Sequence, residues 1–259
     1  MHAMQDTTPI TRAAELLRRA SRVFVITGAG ISADSGLPTY RGIGGLYDTD
    51  GTEDGMPIEQ ALSGDMLSQR PDICWKYIAQ IEAACRGATF NAAHQVLAEL
   101  APRYARLCVL TQNVDGFHRD AGSRDVIEMH GNIRRLSCTG CNHSEAVSDF
   151  AHIHSLPPYC ECGAILRPDV VLFGEQLPGE ALSHYYEALE SGIDLVISIG
   201  TTAVFPYIAA PVDMAARQGV PTIEINPDIS EISHLVDLHI RDRAAATLTA
   251  IQASLLGQQ

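Results

Sequence analysis

The apolar run Val23-Phe24-Val25-Ile26-Thr27 stops abruptly at Gly28-Ala29-Gly30. So short a run, closed by glycines, reads as a strand buried on both faces. A buried strand that breaks into a glycine-rich turn points to an α/β architecture, in which backbone N–H groups after the turn meet a phosphate. The dinucleotide fingerprint G-x-G-x-x-G is imperfect here, because the third glycine arrives only at Gly36. Tyr40 and Arg41 then follow where a plain redox fold would still be in its first helix. The turn suits a dinucleotide, and its continuation leaves open what is done with it.

The rest of the 259 residues repeats the alternation. Segments 107–111, 127–129, 170–173, 194–199, 222–225 and 238–240 read as strands or brief apolar segments. Helical spacing appears between them. Ile10, Ala13, Ala14, Leu17 and Ala20 share a face behind a cap at Thr8 or Thr11, and Ala92, Val96 and Leu100 share another. Further helices are expected near 180–190, 207–218 and the C-terminus. Strands alternating with helices predict a parallel sheet covered on both faces. Segments 43–85 and 135–167 interrupt the rhythm and read as insertions that build a smaller domain. The larger domain then comprises 1–42, 86–134 and 168–259.

Polar clusters fall where the strands end: Gly28-Ala29-Gly30, Gln112-Asn113-Val114-Asp115, Gly200-Thr201-Thr202 and Asn226-Pro227. Ligands of open α/β sheets bind outside the carboxyl ends of strands. Strand-end turns favour Gly, Asn and Asp in any case, so it is the set, not any single cluster, that points to a ligand.

Four of the seven cysteines form two close pairs, Cys138-x2-Cys141 and Cys160-x-Cys162, with eighteen residues between them. Such spacing suits one tetrahedral zinc bound by thiolates, a structural site with no open position. His143, His152 or His154 is an alternative for one ligand. Cys74, Cys85 and Cys108 read as ordinary buried thiols. Metal-type rather than disulfide-type cysteine usage, with no secretory signal, leads to the expectation of a cytoplasmic protein. No apolar run is long enough for a membrane helix. Eighteen basic against thirty-one acidic residues give a net charge of −13, which disfavours nonspecific nucleic-acid binding and suits a basic peptide partner or simply solubility.

His130, in Met129-His130-Gly131-Asn132, is either a general base or a hydrogen-bonded structural residue. Arg41 offers a guanidinium to clamp a phosphate or carboxylate, or lies on the surface.

Taken in order, GAGISADSGLPTYRG, TQNVD, HGN, the paired cysteines, LRPDVVLFGE, GTT and INP resemble the sirtuins, the NAD-dependent protein-lysine deacylases, in their bacterial form. The resemblance spans residues 28 to 227. It implies a Rossmann-like large domain and a smaller domain made of a zinc module and a helical module, with NAD and an acyl-lysine peptide meeting in the cleft. By position, Gly28, Ala29, Gly30, Ser32, Tyr40 and Arg41 would line the NAD loop. Gln112, Asn113 and Asp115 would hold the nicotinamide and its ribose. Gly200, Thr201, Thr202, Asn226, Pro227 and Ala244 would hold the adenosine half. His130 would be the base, with Asn113 beside it in the catalytic centre. Val171, Leu172, Phe173, Gly174 and Glu175 would pair with the substrate backbone, and Tyr77 would lie near the acyl group. Such enzymes consume NAD. The acyl oxygen attacks the glycosidic carbon as nicotinamide leaves, and the ribose 2′-hydroxyl, activated through the base, then attacks the imidate. The products are nicotinamide, free lysine and 2′-O-acyl-ADP-ribose.

Two departures bear on function. Thr202 replaces the usual serine and keeps the hydroxyl. Sirtuins that prefer succinyl or malonyl lysine carry Tyr-x-x-Arg, whereas Tyr77 here is followed by Gln80. A buried acyl carboxylate would lack its partner, so neutral acyl groups are expected. A one-residue slip, or Arg86 reaching in, would alter that expectation. The alternatives are a mono-ADP-ribosyltransferase or NAD glycohydrolase on the same scaffold, or a non-catalytic module that binds NAD or acyl-ADP-ribose.

Overall fold

The computed structural model describes residues 8–38 and 52–257. Tyr40 and Arg41 lie outside the described residues. In chain order the strands are β1 (Arg22–Thr27), β2 (Arg106–Thr111), β3 (Val126–Glu128), β4 (Gly131–Cys138), β5 (Ser144–Ala146), β6 (Leu166–Val170), β7 (Leu195–Ile199), β8 (Thr222–Ile225) and β9 (Leu238–Ile240). The helices are α1 (Pro9–Arg19), α2 (Ala29–Ser32), α3 (Ile58–Ala61), α4 (Gly64–Gln69), α5 (Pro71–Cys85), α6 (Ala92–Leu100), α7 (Phe117–Asp120), α8 (Gly179–Glu190), α9 (Pro206–Gln218) and α10 (Ala244–Leu256).

Local chemistry sets the helix starts. Thr8 caps α1, its hydroxyl accepting from the Thr11 N–H at 3.2 Å, and Pro9 occupies the first turn, where its missing N–H costs nothing. Asn91 caps α6, accepting from the Ala93 N–H at 2.8 Å, while His94 Nδ1 accepts from the Asn91 N–H at 3.3 Å. The buried stripe of α6 is Ala93, Val96, Leu97 and Leu100, with Ala92 exposed in the first turn, one position off the expected face.

The large sheet has the order β3-β2-β1-β7-β8-β9, and every pair in it is parallel. Side chains alternate along β1. Val23 and Val25 join the core beneath α1, α6 and α10, while Phe24 and Ile26 join the core beneath α8 and α9. This is a Rossmann-like sheet with helices on both faces, and chain order reverses around β1 and β7.

The smaller domain is a three-stranded antiparallel sheet, β5-β4-β6, packed on α3 to α5. Trp75 and Ile78 of α5 share a core with Leu136 of β4, Phe150 and Leu172, so the helical and zinc modules form one packed unit. Two expectations are corrected. The small sheet spans residues 131–170, wider than 135–167. The 170–173 run is no strand of the large sheet: Val170 ends β6, and Phe173 makes an isolated bridge to Ser63. Val170, Leu172 and Phe173 are apolar because they pack on the helical module, which single-sequence hydropathy does not distinguish from strand burial.

Candidate active site

Because the large sheet is parallel, the polar residues that follow its strands gather at one edge. Gly28 follows β1, Gln112 follows β2, Gly200 follows β7 and Asn226 follows β8. The glycines are required first by packing. A Cβ on Gly28 would sit 2.8 Å from the Gly200 carbonyl oxygen, and one on Gly30 would sit 2.6 Å from Gly200 Cα. Gly200 itself adopts φ +58°. The Gly30 N–H donates to the Gly200 carbonyl at 2.8 Å. The two turns interlock at the point where a ligand crosses from one half of the sheet to the other.

Hydrogen bonds stiffen this edge. Gln112 Nε2 donates to Thr201 Oγ1 at 2.8 Å, and Asn226 Nδ2 donates to the Thr201 carbonyl at 3.0 Å. Asn113 is buried and donates to the Gly28 carbonyl at 3.1 Å and to Ser32 Oγ at 3.2 Å. Its amide protons therefore hold the loop. Ser32 donates to Asp115 Oδ2 at 2.7 Å, and Asp115 Oδ1 accepts from the Phe117 N–H at 3.0 Å. Burial nevertheless raises the Asp115 carboxyl above its ordinary pKa. On β8, the fully buried Glu224 accepts from Ser230 and, at 2.6 Å, from Ser233. It pins the loop that carries Asp228 and Ile229.

A cavity of about 900 Å³ opens between this edge and the smaller domain. It is lined by Gly28, Ala29, Gly30, Gln112, Asn113, His130, Gly200, Thr201, Thr202, Asn226, Pro227 and Ala244, and by the whole run Val171, Leu172, Phe173, Gly174 and Glu175. A neighbouring pocket of about 50 Å³ is lined by Ala29, Ser32, Asn113 and Asp115. The expected residues thus converge, with one exception among the described residues. Tyr77 lines neither cavity; its hydroxyl donates to Asp54 Oδ2 at 2.6 Å. The cavity is instead faced by Ile78 and Ile81. Tyr77 lies one helical turn before Ile81, and its hydroxyl is committed to Asp54, so the reading through Tyr77 and Gln80 missed the wall. Gln80 is exposed, and Arg86 pairs with Glu82.

His130 follows β3 and stands over the cavity. Its Nδ1 meets the Gln112 carbonyl at 3.0 Å, and its Nε2 meets the Tyr207 hydroxyl at 2.7 Å. A carbonyl only accepts, so the proton sits on Nδ1 and the Nε2 lone pair accepts from the Tyr207 hydroxyl. Burial lowers the His130 pKa and the Gln112 carbonyl partly raises it. The imidazole is a neutral base near neutral pH.

Val171 to Glu175 is itself partly committed. The Val171 N–H donates to the His130 carbonyl at 2.9 Å, and the Phe173 N–H donates to the Leu62 carbonyl at 2.9 Å. Glu175 takes both Arg167 nitrogens, at 2.6 and 2.8 Å, and accepts from the Leu172 N–H at 2.9 Å. Its carboxylate braces the segment.

The four thiolate candidates Cys138, Cys141, Cys160 and Cys162 lie with all sulfurs within 4.8 Å of one another. Cys138 and Cys162 are 3.4 Å apart, and Cys141 and Cys160 are 3.7 Å apart. Tetrahedral zinc thiolates put sulfurs about 3.8 Å apart, so the set fits zinc. His143, His152 and His154 are not in the cluster.

Sequence reasoning did not find Tyr207, Ile78, Ile81 or Glu224. A carboxylate inside the apolar strand 222–225 was the available signal for Glu224. Nothing local marked the others.

Comparisons agree with this geometry. The chain is 50% identical over 245 residues to "NAD-dependent protein deacylase 2" of Pseudomonas aeruginosa, covering 93% of this chain and 95% of that one. It superposes on a Sir2 homolog–NAD complex with TM-score 0.83 at 34% identity, covering 95% and 94% of the two chains. It superposes equally, at TM-score 0.83 and 27% identity over 93% and 96% of the chains, on a Sir2 bound to a deacetylated p53 peptide and 3′-O-acetyl ADP-ribose. Residues 28–206, which hold the interlocked glycine turns, His130 and the thiolate cluster, match the Sir2 family, and the chain belongs to that family.

Proposed function

We propose that this chain is an NAD-dependent protein-lysine deacylase that favours neutral acyl groups and releases nicotinamide, free lysine and 2′-O-acyl-ADP-ribose. The observation that carries the reading is one cavity that joins a neutral histidine, a polar strand-end edge and an apolar wall at Ile78 and Ile81. Its volume of about 900 Å³ falls in the range of about 300–1,000 Å³ usual for ligand sites. The relatives named for NAD dependence, NAD and an acyl-ADP-ribose support the same reading.

NAD, when bound, supplies a glycosidic carbon that becomes electrophilic as nicotinamide departs. The chain does the rest. Asn226, Pro227 and Ala244 hold the adenosine half, and the interlocked turns at Gly30 and Gly200 hold the middle. Asn113 and Asp115, beside the smaller pocket, hold the nicotinamide end. His130 accepts a ribose hydroxyl proton on Nε2, and the Gln112 carbonyl steadies the imidazolium that results. The smaller domain covers the cavity and keeps water from the electrophile. The segment Val171 to Glu175 presents backbone to the acyl-lysine peptide, so recognition reads shape more than sequence. The acidic chain favours basic peptides over nucleic acid. The thiolate cluster and free thiols suit a reducing, cytoplasmic setting.

Ile78 and Ile81 offer no partner for an acyl carboxylate, and leaving one buried unpaired is costly. The test is a panel of lysine peptides carrying acetyl, butyryl, octanoyl and succinyl groups, read by peptide mass. The neutral acyls should be removed at least about tenfold faster than succinyl, a difference of about 1.4 kcal/mol. Ile81→Arg should narrow the gap by restoring succinyl removal. Faster removal of succinyl by the unaltered protein would overturn the acyl preference.

A further inference from the structure

We propose that Tyr207 is a latch on the base: its hydroxyl occupies the Nε2 lone pair of His130 in the free protein, and a ribose hydroxyl of NAD must displace it. The inference rests on His130 being the ribose-facing base.

The hydrogen-bond roles follow from the chain alone. The Gln112 carbonyl takes the Nδ1 proton at 3.0 Å, so Nε2 has only its lone pair to offer, and the Tyr207 hydroxyl donates to it at 2.7 Å. The atom that must receive the ribose proton is therefore already engaged. Tyr207 reaches it from a different element, the first turn of α9, while His130 follows β3. Both line the same cavity.

The backbone of the latch is fixed and its ring is not enclosed. The Tyr207 carbonyl accepts from the Tyr185 hydroxyl at 3.0 Å. The ring stacks on Phe205, with centroids 5.6 Å apart and planes 14° apart. Phe205 meets the His130 ring edge-on at 5.7 Å. Tyr207 is only partly buried and borders the open cavity, so a side-chain rotation alone releases Nε2.

Electrostatics keep the latch in place across the working range. Burial pushes the Tyr207 hydroxyl up to about 12, so it remains a donor. His130 is held down by burial and raised by its hydrogen bond to the Gln112 carbonyl; the charged residues that line the same cavity are Glu175, Asp228, Asp242 and Arg243. A hydrogen bond donated to Nε2 favours the neutral ring further.

A displaced hydrogen bond of ordinary net strength corresponds to about two- to tenfold in affinity. Tyr207→Phe keeps the ring and its stacking and removes only the hydroxyl. NAD titrated calorimetrically into this variant without peptide should bind about two- to tenfold tighter than to the unaltered protein. Tyr207→Leu, which also lacks the hydroxyl, should tighten in the same direction. The acid limb of kcat/KM for NAD, which reports the free protein, should move to higher pH, because Nε2 loses its donor. The acid limb of kcat should stay, because NAD has already displaced the latch in the ternary complex. Unchanged or weaker NAD binding in both variants, or equal movement of both limbs, would overturn the latch. His130→Ala separates the two ideas. If it leaves deacylation intact, the reading of His130 fails, whereas its loss of activity combined with no tightening in Tyr207→Phe sinks the latch alone.

Discussion

In the six-stranded sheet every residue of β7 is buried, and β1 leaves only Arg22 half-buried. In the three-stranded sheet β4 fully buries only Leu136, and β5 leaves two of its three residues exposed. The large sheet holds its shape by apolar burial on two faces. The small sheet lacks that area and relies on the thiolate cluster at one end and on α5 at the other. The cavity lies between a region stabilised by its own packing and one whose sheet a metal held by the four thiolates would pin.

The sharpest way to break the contrast is to remove the metal. Structural zinc contributes about 10 kcal/mol or more to small thiolate sites. Cys160→Ser, or chelation, should abolish deacylation and open residues 131–170 to proteolysis, while far-UV circular dichroism keeps most of its helical signal. Collapse of the whole helical signal would show that the large domain does not stand alone.

Acid should weaken the opposite partner. His94, buried beneath the glycine turn, is driven by burial from 6.5 down to about 4, and His118, fully buried beside it, is lowered as well. An unfolded chain takes up those protons below about pH 6.5, whereas the folded chain resists until about pH 4. Stability is therefore full above pH 6.5 and falls as the pH drops through that window, by about 3 kcal/mol for His94 at about 1.4 kcal/mol per unit. Urea midpoints should decline from pH 7 to pH 4.5, and His94→Asn should flatten the slope. A slope unchanged by the substitution would remove His94 from the account.

The smallest effect is expected at the loop over the adenosine end. Glu224→Gln leaves Ser230 and Ser233 sharing a weaker acceptor. It should cost about 1–3 kcal/mol and raise KM for NAD with little change in kcat. A fall in kcat without a change in KM would mean that the loop acts on the chemistry.

The same contrast explains what the sequence made legible. Elements buried on two faces announce themselves through hydropathy, so β1, β2, β7 and β8 and the polar turns after them were readable from runs such as 23–27 and 222–225. The cysteine spacing identified the metal cluster for a different reason: four ligands around one ion leave few arrangements. What stayed hidden depends on contacts between distant residues. Tyr77 and Ile81 stand one helical turn apart on α5, yet only Ile81 lines the cavity, because the Tyr77 hydroxyl is tied to Asp54. Tyr207 reaches His130 across 77 positions of sequence, and no local pattern encodes that meeting. Phe173 and Leu172 look like strand residues because burial against α3 to α5 demands the same apolar side chains as burial in a sheet.

The central claim is that NAD and an acyl-lysine peptide react in one cavity. The direct test is to follow nicotinamide and peptide mass together, with purified protein and NAD, in the presence and absence of an acetyl-lysine peptide. The account predicts nicotinamide only when peptide is present, one for each acetyl removed. Nicotinamide released at the same rate without peptide would contradict it and favour an NAD glycohydrolase or ADP-ribosyltransferase instead.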